Sequence, residues 1–340
     1  MGPHFTVAGG VSFPARQGGG DDWGNVGGEG RDYVREDGRT MRIVSFVTEA
    51  GEPRVGVLER EDVLDITSPE CPCALRLVEQ ACESGATLAE VAREAARGAT
   101  ASRPLGGLAA APEAGRACLR LPLEPPEVWG AGITYQRTAT RYDEGAAETV
   151  YTRVYEAERP ELFFKATAAR CVGPGEPITL RSDSAQTSTE PELAVLLGPE
   201  GQMLALLCCN DVTARDIEYE NPLYLPQAKI YRGSCALGPW LVTPDEVTGP
   251  HELEVVCTIQ RGAERWEGRT STALMRRRVE DLAAWLTRDN PIPPGTVLTT
   301  GTGIVPPVEW CLQEGDVVHV AIEGVGLLSN PVARSRHSGT

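Results

Sequence analysis

The chain has 340 residues, 41% of them hydrophobic, and a formal net charge of −16 at pH 7. That acidity argues against nucleic acid or an anionic membrane surface as partner, and no apolar run approaches the ~20 residues a membrane-spanning helix needs. The length admits one large domain or two of ordinary size, and no secretory signal opens the chain, so a cytoplasmic protein is expected.

Residues 1–40 are rich in glycine and charge without apolar periodicity, and read as a disordered tail or an extension upstream of Met41. Arg42–Val47 and Val55–Leu58 then read as short strands around Gly51-Glu52-Pro53. Ala74–Glu83 and Thr87–Ala96 read as helices, the second opened by a capping box, Thr87-x-x-Glu90. A Gly/Ala/Pro-rich stretch at about 98–115 reads as a linker. The expected organisation is a small α/β domain over 41–118, a larger one over 119–334 built of strands and long loops, and a tail at 335–340.

In the larger part, Gly130-Ala131-Gly132 lacks the third glycine of a dinucleotide-binding turn, and the polar segment behind it does not open a Rossmann helix. Gly132–Thr138 reads as a loop in which Arg137, or Arg141 beyond it, is placed to fork a substrate carboxylate. Leu193–Leu197 and Met203–Cys209 form a hairpin about residues 198–201. Leu253, Val255, Cys257 and Ile259 alternate as in a half-buried strand, and Val317–Ile322 is another strand. Met275, Val279, Leu282 and Leu286 mark one face of a helix that carries Arg276-Arg277-Arg278 on its solvated side. Thr299-Thr300-Gly301-Thr302-Gly303 offers hydroxyl and backbone donors at a tight turn.

The ten cysteines include no Cys-x-x-Cys pair, and adjacent Cys208 and Cys209 should point to opposite faces; buried reduced thiols are expected. None of the four histidines, His4, His251, His319 and His337, has a setting that suits a Ser-His-Asp or Cys-His nucleophile.

Two lysines stand against 30 arginines. Lys165 and Lys229 both sit among apolar or small neighbours, and lysine alone of the two cations can hold or release a proton near neutrality when buried. Glu190-Pro191-Glu192 puts two carboxylates on one face of a strand, and Pro191 marks a strand start or sheet edge. Closing the hairpin sets Glu190 and Glu192 opposite residues near 207–209, with Asp211 at the same open end. Three converging carboxylates call for a hard divalent cation, Mg2+ first and Mn2+ close behind.

Four stretches together resemble the fumarylacetoacetate hydrolase superfamily: Glu190–Val195, Asn210–Asp216, Ala236–Trp240, and Thr300-Gly301-Thr302 with Glu314–Val318. Val154–Lys165 and Asp216–Lys229 are similar, more narrowly, to its branch of 2-keto-3-deoxy-D-arabinonate dehydratases and related sugar-acid dehydratases. The resemblance implies an α+β chain with a mixed β-roll catalytic domain, a divalent metal on Glu190, Glu192 and Asp211, and a homodimer. It implies a metal-dependent dehydration of a 2-keto-3-deoxy sugar acid, the metal stabilising enolate charge. Lys229 is then the candidate base, its pKa lowered by burial and the cation. Glu218, Thr302 or a water serves the leaving hydroxyl, while Tyr135, Arg137, Thr138, Lys165 and Thr302 contact the substrate. Lys165 is assigned to supporting the metal ligands or the substrate carboxylate. Hydrolytic members carry a histidine three residues after the loop tyrosine, and here Thr138 stands there, with Arg141 in place of a glutamate. A second departure is Gly303, where many relatives have proline. The alternatives are acylpyruvate hydrolysis, 2-keto acid decarboxylation or keto–enol isomerisation on the same platform, and, more remotely, a silent metal-binding scaffold.

Overall fold

The computed structural model describes residues 41–109, 111–141, 150–247 and 249–335; the tail at 1–40 with His4, and His337, lie outside them. Arg42–Val47 and Pro53–Glu59 pair antiparallel around Gly51, whose φ of 80° is open to glycine at no steric cost. Asp62–Asp65 continues the sheet and pairs with Ala101–Pro104. The expected linker therefore contains a strand. Its mostly exposed Ala-Ser-Arg-Pro sequence hides it from a hydrophobic pattern, yet it suffices for an edge that needs backbone bonds on one side only.

Helices Ala74–Ser84 and Leu88–Arg97 form as expected, and both halves of the Thr87–Glu90 capping box are made. Leu77, Val78, Ala81, Leu88 and Ala92 are buried in a core shared with Ile43, Val55 and Val57 of the sheet. This unit does not close on itself. Arg42 and Ile43 pair with Val242 and Leu241, so one twelve-stranded sheet crosses the expected domain boundary. From that junction the sheet runs through Cys235–Val242, Met203–Asp211, Pro191–Leu197, Thr296–Thr299 and Val128–Gly132 to Glu161–Ala166.

A second sheet of five strands, Glu264–Ser271, Glu254–Arg261, Val317–Ile322, Gly326–Arg334 and Ile178–Leu180, packs on the opposite face. The central strands are covered on both faces, which explains their continuous apolar runs. Leu193, Val195 and Cys208 enter the core shared with the second sheet, while Ala194, Leu196 and Cys209 enter the core shared with the helices. The two adjacent cysteines thus point to opposite faces, as their spacing requires.

One expected helix is shorter than its pattern. It spans Val279–Leu286, and Met275 instead follows a 3-10 turn and bridges to Tyr135. The amide of Arg276 donates to the Thr134 carbonyl at 3.0 Å, which keeps the chain extended there. Arg276 and Arg277 therefore lie outside the helix and donate to the carbonyls of Glu156, Ala157 and Glu158. Pairing with the loop behind the site has overridden the apolar period.

The cap yields a direct test of the first unit. Thr87→Ala removes an acceptor for the Glu90 amide and should cost about 1 kcal/mol in denaturant unfolding; an unchanged midpoint would contradict it.

Candidate active site

The Pro191–Leu197 and Met203–Asp211 hairpin carries the acidic cluster at its open end. A bulge between Leu196 and Leu197 shifts the register, so Pro191 faces Asn210 and Glu192 faces Cys209. This differs from an evenly closed hairpin and sets Glu190 against Asp211, whose amide donates to the Glu190 carbonyl at 2.9 Å. Asn210 Oδ1 accepts from the Glu190 amide at 3.1 Å and from Thr189 Oγ1 at 2.7 Å, fixing the strand entry. Carboxylate oxygens of Glu190, Glu192 and Asp211 lie within 4.8 Å of one another.

Each carboxylate is held differently. Glu192 Oε2 accepts from the Gly301 amide at 2.7 Å. Gly301 has φ 84°, and a Cβ there would come 2.9 Å from the Ala131 carbonyl oxygen, so both conformation and space require glycine. Asp211 lies between the two lysines. Lys165 Nζ is 2.5 Å from its Oδ1 and Lys229 Nζ is 2.9 Å from its Oδ2. Lys229 Nζ also donates to Glu190 Oε2 at 2.8 Å and stands 5.5 Å from the centre of the Phe163 ring.

Lys165 is 0% exposed. Besides its ion pair with Asp211 it donates to the carbonyls of Lys229 at 2.6 Å and Val212 at 3.1 Å. A compact ammonium thus serves one carboxylate and two carbonyls, an arrangement that the planar guanidinium fork does not match. It braces the cluster from behind and does not line the cavity, which corrects its expected contact with substrate.

The electrostatics follow from burial against charge. Burial, then Asp211 and Glu190, hold the Glu192 carboxyl well above the usual carboxylate range. Burial alone would raise Asp211 too, but Lys165 and Lys229 outweigh it and hold its carboxyl low. Burial alone would lower Lys229; Asp211, Glu190 and Glu218 outweigh it and hold its ammonium well above the ordinary lysine range. The expected lowering of Lys229 is therefore reversed among these partners, because its neighbours are carboxylates and not only apolar groups.

The cavity is lined by Glu190, Glu192, Asp211, Lys229, Glu218, Thr138 and Thr302, together with Glu161, Phe163, Tyr151, Gly132 and Arg215. Glu218, in the first turn of helix Arg215–Glu220, is pushed up to about 7 by burial, and its Oε2 is buried without a hydrogen-bond partner among the described residues. Burial also raises Glu161, against the pull of Lys229. Thr138 Oγ1 donates to the Thr302 carbonyl at 2.5 Å, and Thr302 Oγ1 to the Ile304 carbonyl at 3.2 Å, so both hydroxyls shape the turn at the cavity wall.

Two expected contacts lie elsewhere. Arg137 is exposed, since helix Gln136–Arg141 turns Thr138 and Ala139 inward and residues 136 and 137 outward. Tyr135 is buried behind the wall with its ring against Gly303, where a Cβ would come within 2.6 Å of the ring. Arg141, by contrast, closes that helix without a described side chain. Neither His251, bonded to Glu280 at 3.0 Å, nor His319, bonded to Ser329 at 2.8 Å, lines the cavity. Glu161 and Phe163 carried one legible signal: they alternate on one face of the strand that leads to Lys165.

The donor set fits a hard divalent cation. All three candidate ligands are carboxylates, and Glu192 is destabilised as an anion by burial and then by the other two.

Residues 127–333 match the family described as Fumarylacetoacetate (FAA) hydrolase C-terminal. The chain is 50% identical over 221 residues to 2-dehydro-3-deoxy-D-arabinonate dehydratase of Saccharolobus solfataricus, covering 63% of this chain and 74% of the relative. It is 46% identical over 214 residues to a probable 2-keto-3-deoxyxylonate dehydratase of Haloferax volcanii, covering 62% and 74%. A solved structure of 2-keto-3-deoxy-D-arabinonate dehydratase, complexed with magnesium and 2,5-dioxopentanoate, superposes with a TM-score of 0.73 at 37% identity, covering 87% of this chain and all of that one.

Two outcomes follow. Lys165→Met leaves Asp211 buried with one partner fewer and should cost about 3–5 kcal/mol in denaturant unfolding; a loss below about 1 kcal/mol would contradict the bracing role. Glu192 must shed its proton to ligate, so Mg2+ affinity should be full at high pH and weaken as pH falls, with protons released on binding. Calorimetry in buffers of different ionisation enthalpy checks this, and a pH-independent affinity would refute it.

Proposed function

The chain belongs to the fumarylacetoacetate hydrolase family, and from that premise we propose that it is a metal-dependent hydro-lyase that dehydrates a 2-keto-3-deoxy sugar acid. The substrate class is that of 2-keto-3-deoxy-D-arabinonate, which loses water to give 2,5-dioxopentanoate. Glu190, Glu192 and Asp211 hold Mg2+, with Mn2+ as a substitute. The observation that carries the reading is a three-carboxylate site that shares its cavity with Lys229 and a proton-holding Glu218, with Thr138 where a hydrolase would place histidine.

The bound cation supplies Lewis acidity, taking up charge that develops on the C2 carbonyl oxygen as a C3 proton leaves. With Glu190 and Asp211 turned to ligation, Lys229 Nζ loses the carboxylate bonds that hold its proton, and burial then favours the neutral amine. Lys229 Nζ takes the C3 proton. Glu218, protonated near neutrality and aimed into the cavity, gives its proton to the C4 hydroxyl, which departs as water. The unsaturated keto acid that remains tautomerises to the dicarbonyl product. Thr138 and Thr302 hold the turn that closes the wall. Tyr135 backs that turn at Gly303.

The wider setting is a proposal as well. Residues 41–118 buttress a catalytic unit over 119–334, joined to it through the Arg42–Val242 edge. Leu223, Leu274 and Val308 are large exposed apolar side chains that a second copy would cover, which favours a homodimer. Ten free thiols suit a reducing cytoplasm.

The test is a panel of keto-deoxy pentonates and hexonates, acylpyruvates and oxaloacetate, with and without Mg2+, read by product mass. Loss of water from a keto-deoxy acid, only with Mg2+, is expected; carbon–carbon cleavage, or no turnover of any keto-deoxy acid, would sink the assignment. Lys229→Ala should lower turnover by about 10³-fold yet retain Mg2+, and wild-type turnover would reject its role.

A further inference from the structure

Two glycines alternate along Val128–Gly132, and across the sheet they meet side chains of the cavity wall. Gly130 pairs with Phe163 and Gly132 with Glu161. A Cβ on Gly130 would lie 2.8 Å from Phe163 Cε2, and one on Gly132 would lie 2.8 Å from Glu161 Cδ and closer still to Oε2. Neither glycine is among the residues with left-handed φ, so each supplies space and not backbone freedom. The Gly-x-Gly pair that fails as a dinucleotide turn has another use here: it lets two side chains from the neighbouring strand fold over the backbone.

We propose that Gly132 is a positioning residue, its missing side chain forming the seat of the Glu161 carboxyl, which is thereby held at the cavity wall that also carries Lys229. The three nearest atoms to a Cβ on Gly132 are Oε2, Cδ and Cγ of Glu161, all toward the free end of one flexible side chain. An added methyl group therefore displaces the carboxyl before it displaces the sheet. Gly132 and Glu161 both line the cavity, so the seat borders the space a ligand would occupy. Glu161 lies on the strand that carries Lys165, which braces Asp211; the same strand thus fixes the cluster from one end and presents a further carboxyl to the cavity from the other. A polyhydroxylated tail needs such a polar wall, and a carboxyl displaced by even about 1 Å is expected to cost about 100-fold. The consequence for turnover rests on the dehydratase reading; the seat itself does not.

The experiment compares wild type, Gly132→Ala, Glu161→Ala and the double variant, each loaded with Mg2+. Each single substitution should lower kcat/KM for the keto-deoxy acid by about 100-fold, with Mg2+ affinity and thermal midpoint unchanged. The double should equal Glu161→Ala, because the seat has no function once its occupant is gone. Wild-type turnover in either single variant, or a double in which the losses multiply, would overturn the proposal. The double lacks the clashing atoms, so it remains informative where Gly132→Ala alone folds poorly. A crystal structure of Gly132→Ala gives a readout free of turnover: the Glu161 carboxyl should be swung from its seat, and a carboxyl in place over a shifted strand would overturn the assignment. Wild-type protein inactive on every keto-deoxy acid, with that swing observed, would sink the dehydratase reading and leave the seat standing.

Discussion

The ion pair between Lys165 and Asp211 is the interaction on which the site depends. Both groups are taken wholly out of water, and each charge would be prohibitive without the other. Lys165 answers with its charge to the carboxylate and with hydrogen bonds to the carbonyls of Val212 and Lys229. The Asp211 carboxylate, the chain that follows it and the backbone of the second lysine are thereby tied to one ammonium. Removing that charge releases all three. Arginine, which outnumbers lysine 30 to two in the chain, presents a flat fork where a compact ammonium is needed.

The sheet explains why the carboxylates can be brought so close. Pro191–Leu197 is buried along its whole length, so its register is set by apolar packing on both faces. The cost of gathering like charges at its end is met by the cores on either side of it, while Gly301 and Lys229 soften the repulsion locally. The same arrangement leaves Glu192 inclined to keep a proton and Asp211 inclined to lose one, although they lie side by side. That asymmetry prepares the site for a cation, since of these two it is Glu192 that must lose a proton to receive it.

Much of this was legible in the sequence. The Thr87 cap, the hairpin about residues 198–201 and the shared face of Glu190 and Glu192 follow from local spacing, and the structure contains them. What escaped depends on distant partners. Met275 fits a helical period but is drawn into a bridge with Tyr135, and Ala101–Pro104 is a strand only because Asp62–Asp65 offers an edge. Arg137 points outward because the loop expected around it turns into a helix. The expected lowering of Lys229 weighed burial together with a bound cation, whereas among the described residues three carboxylates outweigh burial. Glu161 was within reach, since it alternates with Phe163 along the strand that leads to Lys165, but nothing local to it announced a site.

The proposed chemistry condenses to one proton transfer, in which Lys229 would take the C3 proton of a 2-keto acid once the carboxylates around it turn to Mg2+. A 2-keto acid without a C4 hydroxyl isolates that step, because no water can leave. Proton NMR in deuterium oxide should show exchange at C3 that requires Mg2+ and is lost in Lys229→Met. Exchange that persists without Mg2+, or in Lys229→Met at the wild-type rate, would contradict the account.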